Sequence, residues 1–303
     1  MQFLNQTIFY KPYLLNMPGL NIFLPSLKLP AYVCRNCGFW QRNFSKPLDC
    51  PICKDYRHIL PPDGWSFYSL EEASEAFLMY WEEILPSLWR FWNDPVDGIG
   101  SHSYLLQREQ GNIVFEGATV YSPEALEHMD SLGGVQVASA SHPHTYGALW
   151  QLQDYFDTNI ALQKEDLAWT SAFRVTHPFD EKLEFSFGHR LLHAGVHFAG
   201  QAFLVDDKLG IIFCGDAMKF DLEENHPRCA AGISSHKSFV RSVSLTSKEI
   251  SCYRAAFGQY KFDKVYSPFE QVHNVDSKLV DKYLSRLIDK FPEVNFIKLS
   301  DLE

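Results

Sequence analysis

A chain of 303 residues with 46% apolar content can bury one large core, or one large and one small. Its net charge of -10 excludes a global field that would draw it to nucleic acid or to an anionic membrane, and no Lys/Arg cluster suggests a local basic groove. Seven cysteines, four of them in two tight pairs, indicate metal binding in a reducing compartment, so a cytoplasmic protein is expected and a disulfide framework is not.

Residues 1–30 are rich in Phe, Leu, Tyr and Pro. Asn16, Pro18, Asn21 and Pro25 interrupt the apolar stretch Tyr13–Leu29, which rules against a membrane span, and the stretch lacks the basic leader of a signal peptide. It reads as an extended apolar arm, packed on the body or forming a homodimer contact. Residues 31–57 form a cysteine module. Residues 58–93 follow as a linker and helix: Ser69-Leu70-Glu71-Glu72 is a capping box opening a periodic run through Phe77, Tyr80, Trp81 and Ile84. Pro86 is expected to end or kink this helix, with Leu88, Trp89 and Trp92 continuing its apolar surface. Residues 94–303 read as one α/β domain. A hairpin is predicted over Tyr104–Arg108 and Asn112–Phe115, a helix over Pro123–Leu132, a strand over Val135–Ala140 and a helix over Ala148–Phe156. Strand Asn159–Leu162, helix Lys164–Thr170 and strands Leu183–Phe187, Gln201–Val205 and Gly210–Cys214 come next. Helices Lys248–Phe257 and Lys278–Phe291 flank a strand at Lys264–Tyr266.

Cys34-Arg35-Asn36-Cys37-Gly38 and Cys50-Pro51-Ile52-Cys53 are two C-x-x-C pairs separated by twelve residues. Each such turn offers two thiolates to one tetrahedral ion, and Gly38 suits the knuckle turn. Four protein thiolates close the site, so its role is structural, with Zn2+ as the expected ion and iron as the alternative that the rubredoxin-like pattern raises. In so small a module the metal supplies folding energy that a core cannot.

The second constellation is dispersed. Ser141-His142-Pro143-His144-Thr145-Tyr146-Gly147 follows a buried strand, and His-x-His at a strand end can converge on an ion when the loop turns. Gly195-Val196-His197-Phe198-Ala199-Gly200 places a histidine in a glycine-flanked turn. Ile211-Ile212-Phe213-Cys214-Gly215-Asp216 is an apolar strand ending in an acid that needs a partner. Cys214, Cys229 and Cys252 read as ordinary thiols, and His189 and His193 as histidines facing solvent or a satisfied hydrogen bond.

The order strand–HxH, GxHxxG, strand–GD resembles the metallo-β-lactamase superfamily over about residues 31–270, in a branch carrying an S-H-P-H loop after an N-terminal ribbon. The resemblance implies an αββα sandwich of the metallo-β-lactamase type with a small N-terminal zinc ribbon. It implies His142, His144, His197 and Asp216 as ligands of one metal, and Asp166 as structural. The sequence also departs from the pattern. The usual H-x-H-x-D-H ends here in Tyr146-Gly147, Phe269 stands where a last histidine is usual, and the early strand ends in Phe115-Glu116-Gly117 rather than in Asp. A mononuclear site is therefore expected, holding one Zn2+ or Fe2+. His236 is a candidate replacement for the missing histidine, weighed against a plain surface or capping role.

With such a site the chain is expected to be a metal-dependent hydrolase, activating water against a small acyl-type substrate (ester, thioester, lactone or amide), with Asp216 at the reacting centre and Tyr146 as donor or general acid. The alternative for Tyr146 is a ring that packs over the ligands. Two other functions compete: a mononuclear non-haem iron oxygenase or dioxygenase, and a non-catalytic scaffold stabilised by metal. A small molecule is the expected partner, with neither nucleic acid nor membrane.

Overall fold

Strands β1 (Ala31–Cys34) and β2 (Trp40–Arg42) open the computed structural model, which describes residues 29–96, 98–186, 188–289 and 296–302. The arm expected over residues 1–30 lies outside the described residues, except for its last two. Helix α1 (Pro51–Lys54) carries the second cysteine pair, and β3 (Phe67–Ser69) pairs with β1 on the side opposite β2. Gly38 has φ +78°, a conformation that costs glycine little, and its N–H closes the knuckle on the Cys34 carbonyl at 2.8 Å.

Helix α2 (Leu70–Ala76) begins with the expected capping box: Ser69 Oγ accepts the Glu72 N–H, and the Glu72 carboxylate accepts the Ser69 N–H at 2.7 Å. The helix does not continue through Ile84, which corrects the sequence reading. Residues beyond Phe77 form a hairpin of β4 (Leu78–Leu85) and β5 (Leu88–Asp94), turning at Pro86-Ser87 with Ser87 at φ 66°. The spacing of Tyr80, Trp81 and Ile84 fits a helical stripe, but aromatic residues also favour a pleated surface. Here the cross-strand pairs decide: Tyr80 stacks on Trp92 and Trp81 on Phe91, with ring centroids 5.8 and 6.3 Å apart.

Strands β6 (Ser103–Leu106) and β7 (Ile113–Phe115) form the expected hairpin. Helix α3 (Pro123–Ser131), strand β8 (Val137–Ser139), helix α4 (Leu149–Phe156) and strands β9 (Asn159–Gln163) and β10 (His177–Phe179) follow. Lys164–Trp169, expected as a helix, is a 3-10 turn. Among the described residues these strands make a seven-stranded sheet in the order β10-β9-β8-β7-β6-β5-β4. The second half contributes β11 (Lys182–Glu184), β12 (His189–His193), β13 (Ala202–Asp206), β14 (Ile211–Phe213), β15 (Lys219–Glu223), β16 (His226–Ser234), α5 (Ser247–Phe257), β17 (Lys264–Tyr266), β18 (Gln271–Val272), α6 (Ser277–Asp289) and β19 (Phe296–Lys298). A six-stranded sheet runs β11-β12-β13-β14-β17-β18, and β15, β16 and β19 form a small sheet beside it.

Strand alternation produces the layers. Ile113 and Phe115 of β7 meet Leu204, Ile211 and Phe213 of the second sheet in one buried cluster, while Val114 faces the cluster that holds α3 and α4. In the second sheet Phe203, Val205 and Ile212 turn the other way, onto Tyr253, Phe257 and Tyr283 of α5 and α6. The result is helix, sheet, sheet, helix. The ribbon shares the first outer layer: Trp40, Cys50 and Ile52 lie in the same cluster as Leu149 and Trp150, and the Trp40 indole donates to the Thr119 carbonyl at 2.7 Å. No helix among the described residues is long and apolar enough to cross a membrane.

Candidate metal centre

Two groups of metal-ligating side chains converge among the described residues: Cys34, Cys37, Cys50 and Cys53, and His142, His144, His197 and Asp216. In each group the ligand atoms lie within 4.8 Å of one another. In the ribbon the Cys34–Cys53 and Cys37–Cys50 sulfurs are 3.7 and 3.5 Å apart, and all four side chains are buried. A tetrahedral ion with bonds of about 2.3 Å spaces its sulfurs by about 3.8 Å, so the group has the right size for one.

The second group sits where loops leave one edge of the sandwich. Strand β8 delivers His142 in extended conformation, and the 3-10 turn Pro143–Thr145 then brings His144 round beside it, with ring centroids 5.2 Å apart. His197 lies between β12 and β13, its N–H donating to Gln201 Oε1 at 3.1 Å; the Tyr253 hydroxyl holds that same oxygen at 2.7 Å. Asp216 follows β14 directly. Gly215 before it has φ +54° and lies so close to the Ser141 side chain that a Cβ would collide with it.

The outer nitrogens of two of the rings are already engaged. His197 Nδ1 lies 2.8 Å from the Lys237 carbonyl oxygen and so donates to it; His142 Nδ1 lies 2.7 Å from Ser141 Oγ. The Nε2 atoms of His142, His144 and His197 are buried without a hydrogen-bond partner, as is Asp216 Oδ1. Asp216 Oδ2 stands 3.5 Å from His142 Nε2 and 3.7 Å from His197 Nε2, near the ~3.4 Å spacing of ligand atoms about 2.1 Å from a shared tetrahedral ion. Orphaned lone pairs aimed at one point are costly unless something fills it, and this donor set fits a divalent metal ion.

Electrostatics suit the same role. Burial pushes the His144 imidazole well below its ordinary range and His197 down to about 3, so both rings are neutral and can offer lone pairs. Burial alone would raise the Asp216 carboxyl, but His142 and His197 beside it outweigh that and hold it below its usual value. Phe198 forms the floor, its ring 5.5, 4.9 and 5.3 Å from those of His142, His144 and His197.

Two residues take roles that the sequence reading did not assign them. Glu116, counted there as a lost ligand, is buried with φ 64°, and its Oε2 accepts the Ser141 N–H at 2.8 Å and the Thr145 hydroxyl at 2.5 Å. It clamps both ends of the His142–His144 turn. Tyr146 is buried behind the loop, its ring against Phe173 and its hydroxyl 3.4 Å from the Asp166 carbonyl oxygen. Burial raises its pKa far above the ordinary phenol, it is not among the residues lining the cavity, and its ring packs on Phe173 rather than over the ligand rings. Asp166 is buried and accepts the Gly200 N–H at 2.9 Å, fastening the His197 loop. His236 stands outside the convergent group and packs on Phe239, 5.1 Å between centroids.

The metal group opens into a cavity of about 450 Å³. His144, His197 and Asp216 form its base, Ile99, Met218, Phe239 and Phe269 supply apolar walls, and Lys219 and Glu270 are also on its lining. Burial raises Glu270 to about 7.

No family model matches the chain. It is 26% identical over 261 residues to the uncharacterized protein YmaE of Bacillus subtilis, across 80% of this chain and 90% of that protein. Among solved structures it is similar to a metallo-β-lactamase from Pontibacter korlensis, with a TM-score of 0.51 at 16% identity, covering 70% of this chain and all of the other. VMB-1 matches with the same TM-score at 10% identity, over 69% of this chain and 97% of that one. At such identities the likeness is one of fold.

Proposed function

We propose that this chain, which has the metallo-β-lactamase fold, is a metal-dependent hydrolase with a mononuclear centre held by His142, His144, His197 and Asp216, acting on a small acyl-type substrate. The observation that carries the reading is the convergence of three partnerless imidazole Nε2 atoms and one carboxylate at the base of an open cavity. A divalent ion bound there supplies Lewis acidity towards a carbonyl oxygen and brings the pKa of a water down to about 7. The protein's share is orientation. Ser141 and the Lys237 carbonyl fix two rings, Glu116 and Asp166 fix the loops that carry them, and the apolar walls exclude water from the acyl part of the substrate. Support for one ion rather than two comes from Tyr146, Gly147 and Phe269: none of these side chains supplies the carboxylate or imidazole that a second ion would need. The four-cysteine group is read as a structural zinc site.

The test is hydrolysis of a panel of p-nitrophenyl esters, thioesters and lactones by metal-loaded protein. Turnover should vanish on chelation and in Asp216→Asn, and zinc should restore it to the wild type only. Hydrolysis that survives metal removal would sink the reading. Silence across the panel, with oxygen consumed by iron-loaded protein, would replace it with an oxygenase.

A further inference from the structure

The last turn of the cysteine module is also a wall of the metal cavity. Arg57 and His58 line it together with Asn36. The main body holds this segment firmly: Arg57 donates to the His197 carbonyl at 2.6 Å, Ser238 Oγ to the Arg57 carbonyl at 2.8 Å, and Arg241 Nε to the His58 carbonyl at 2.9 Å. From the ribbon side, Asn36 Nδ2 reaches Cys53 Sγ at 3.2 Å and the Ile59 carbonyl at 3.0 Å. The segment therefore bridges the two metal groups.

His58 sits at the centre of that bridge. Its ring is buried and meets His144 edge to face at 5.6 Å. Around its Nδ1 stand two donors, the Ile59 N–H at 3.0 Å and the Asn36 amide at 3.5 Å, and one acceptor, the Ile59 carbonyl oxygen at 3.1 Å, which also accepts from Asn36 at 3.0 Å. Two donors against one acceptor, itself served by Asn36, favour Nδ1 as the acceptor, and we assign the ring proton to Nε2 on that ground.

We infer that His58 is a substrate-binding residue of the hydrolytic site, contributed by the ribbon, whose Nε2–H donates a hydrogen bond to an oxygen of the bound acyl group. The inference rests on the hydrolase reading of the His/Asp centre. It gives the ribbon a second task besides folding, because the module that the cysteines close is what presents His58 to the cavity.

The experiment uses full-length protein with zinc in the four-cysteine site and cobalt titrated into the His/Asp site, probed with acetohydroxamate. His58→Phe keeps a ring against His144 but removes the donor; His58→Gln restores an N–H. Before probe is added, the cobalt absorption spectrum should be the same in all three proteins. Acetohydroxamate should then bind about 10-fold more weakly to His58→Phe, and His58→Gln should recover part of the loss. Equal affinity in wild type and His58→Phe overturns the assignment of His58 while leaving the metal centre intact. Failure of the wild type to take up cobalt overturns the hydrolase reading itself, and this inference with it.

Discussion

Glu116 shows how one side chain decides the geometry of the centre without touching the proposed ion. Its carboxylate binds the Ser141 N–H and the Thr145 hydroxyl, so both ends of the turn carrying His142 and His144 are tied to one residue of the neighbouring strand. Supports of this kind are worth about 10- to 100-fold in metal affinity. Glu116→Ala should weaken metal binding at the His/Asp site by that factor in a chelator competition, and Glu116→Gln, which keeps an acceptor oxygen, should recover most of it. An alanine variant of wild-type affinity would show that the turn holds itself. The four cysteines were legible from their spacing, whereas the three histidines and Asp216 were candidates that only the family resemblance joined into one ligand set. Glu116 was not: a lone Glu at a strand end has no spacing signal, and its work depends on β7 and β8 lying side by side. Tyr146 was legible only as a choice between two roles, since which way its ring turns depends on the distant Phe173 and Asp166.

At the scale of elements, periodicity read the isolated helices and central strands well, and the aromatic hairpin badly. The stripe from Phe77 to Ile84 satisfies a helical period, and only pairing with Phe91 and Trp92 turns it into a strand. The expected helix was therefore right as far as its capping box and wrong beyond Phe77. β15, β16 and β19 also escaped notice, as most of their residues are polar or half exposed. The ribbon was clear from its cysteines, but its docking was not, since Trp40 and Arg42 reach Thr119 and Ala172 far along the chain. That docking makes the ribbon matter to the whole fold. Cys50→Ser should remove the ribbon metal and lower Tm by roughly 10 °C or more, because metal and shared core are lost together. A variant that melts like wild type while keeping only the His/Asp metal would show the ribbon to be a passive attachment.

Across the whole molecule, the two sheets are joined by a buried polar cluster as well as by their apolar faces. Arg108, beyond β6, bonds Asp206 at the end of β13, and His189 of β12 bonds the same carboxylate at 3.0 Å. Asp206 and His189 are fully buried. Burial would raise Asp206, but the His189 hydrogen bond and Arg108 outweigh it and hold the carboxyl below its ordinary value of 3.8. A carboxyl depressed in the folded state adds stability above the unfolded pKa and loses it as pH falls through the folded one. Asp206→Asn leaves the Arg108 charge buried and unpaired, so it should cost about 3–5 kcal/mol at pH 7 by urea unfolding. That gap should close as the pH drops below about 4. A gap independent of pH would mean that the loss is one of shape rather than of charge. Strand and helix order showed one α/β domain and the family resemblance implied its layers; this junction was not legible, because its members are 17 to 98 positions apart.

The central claim is that this fold carries two separate metal sites, one closed by cysteines and one open at His142, His144, His197 and Asp216. The most direct measurement is metal content per chain, by elemental analysis of anaerobically purified wild type and His197→Ala. The account predicts two ions in the wild type and one in the variant, with the four-cysteine site still filled. A single ion in the wild type, or two in His197→Ala, would contradict it.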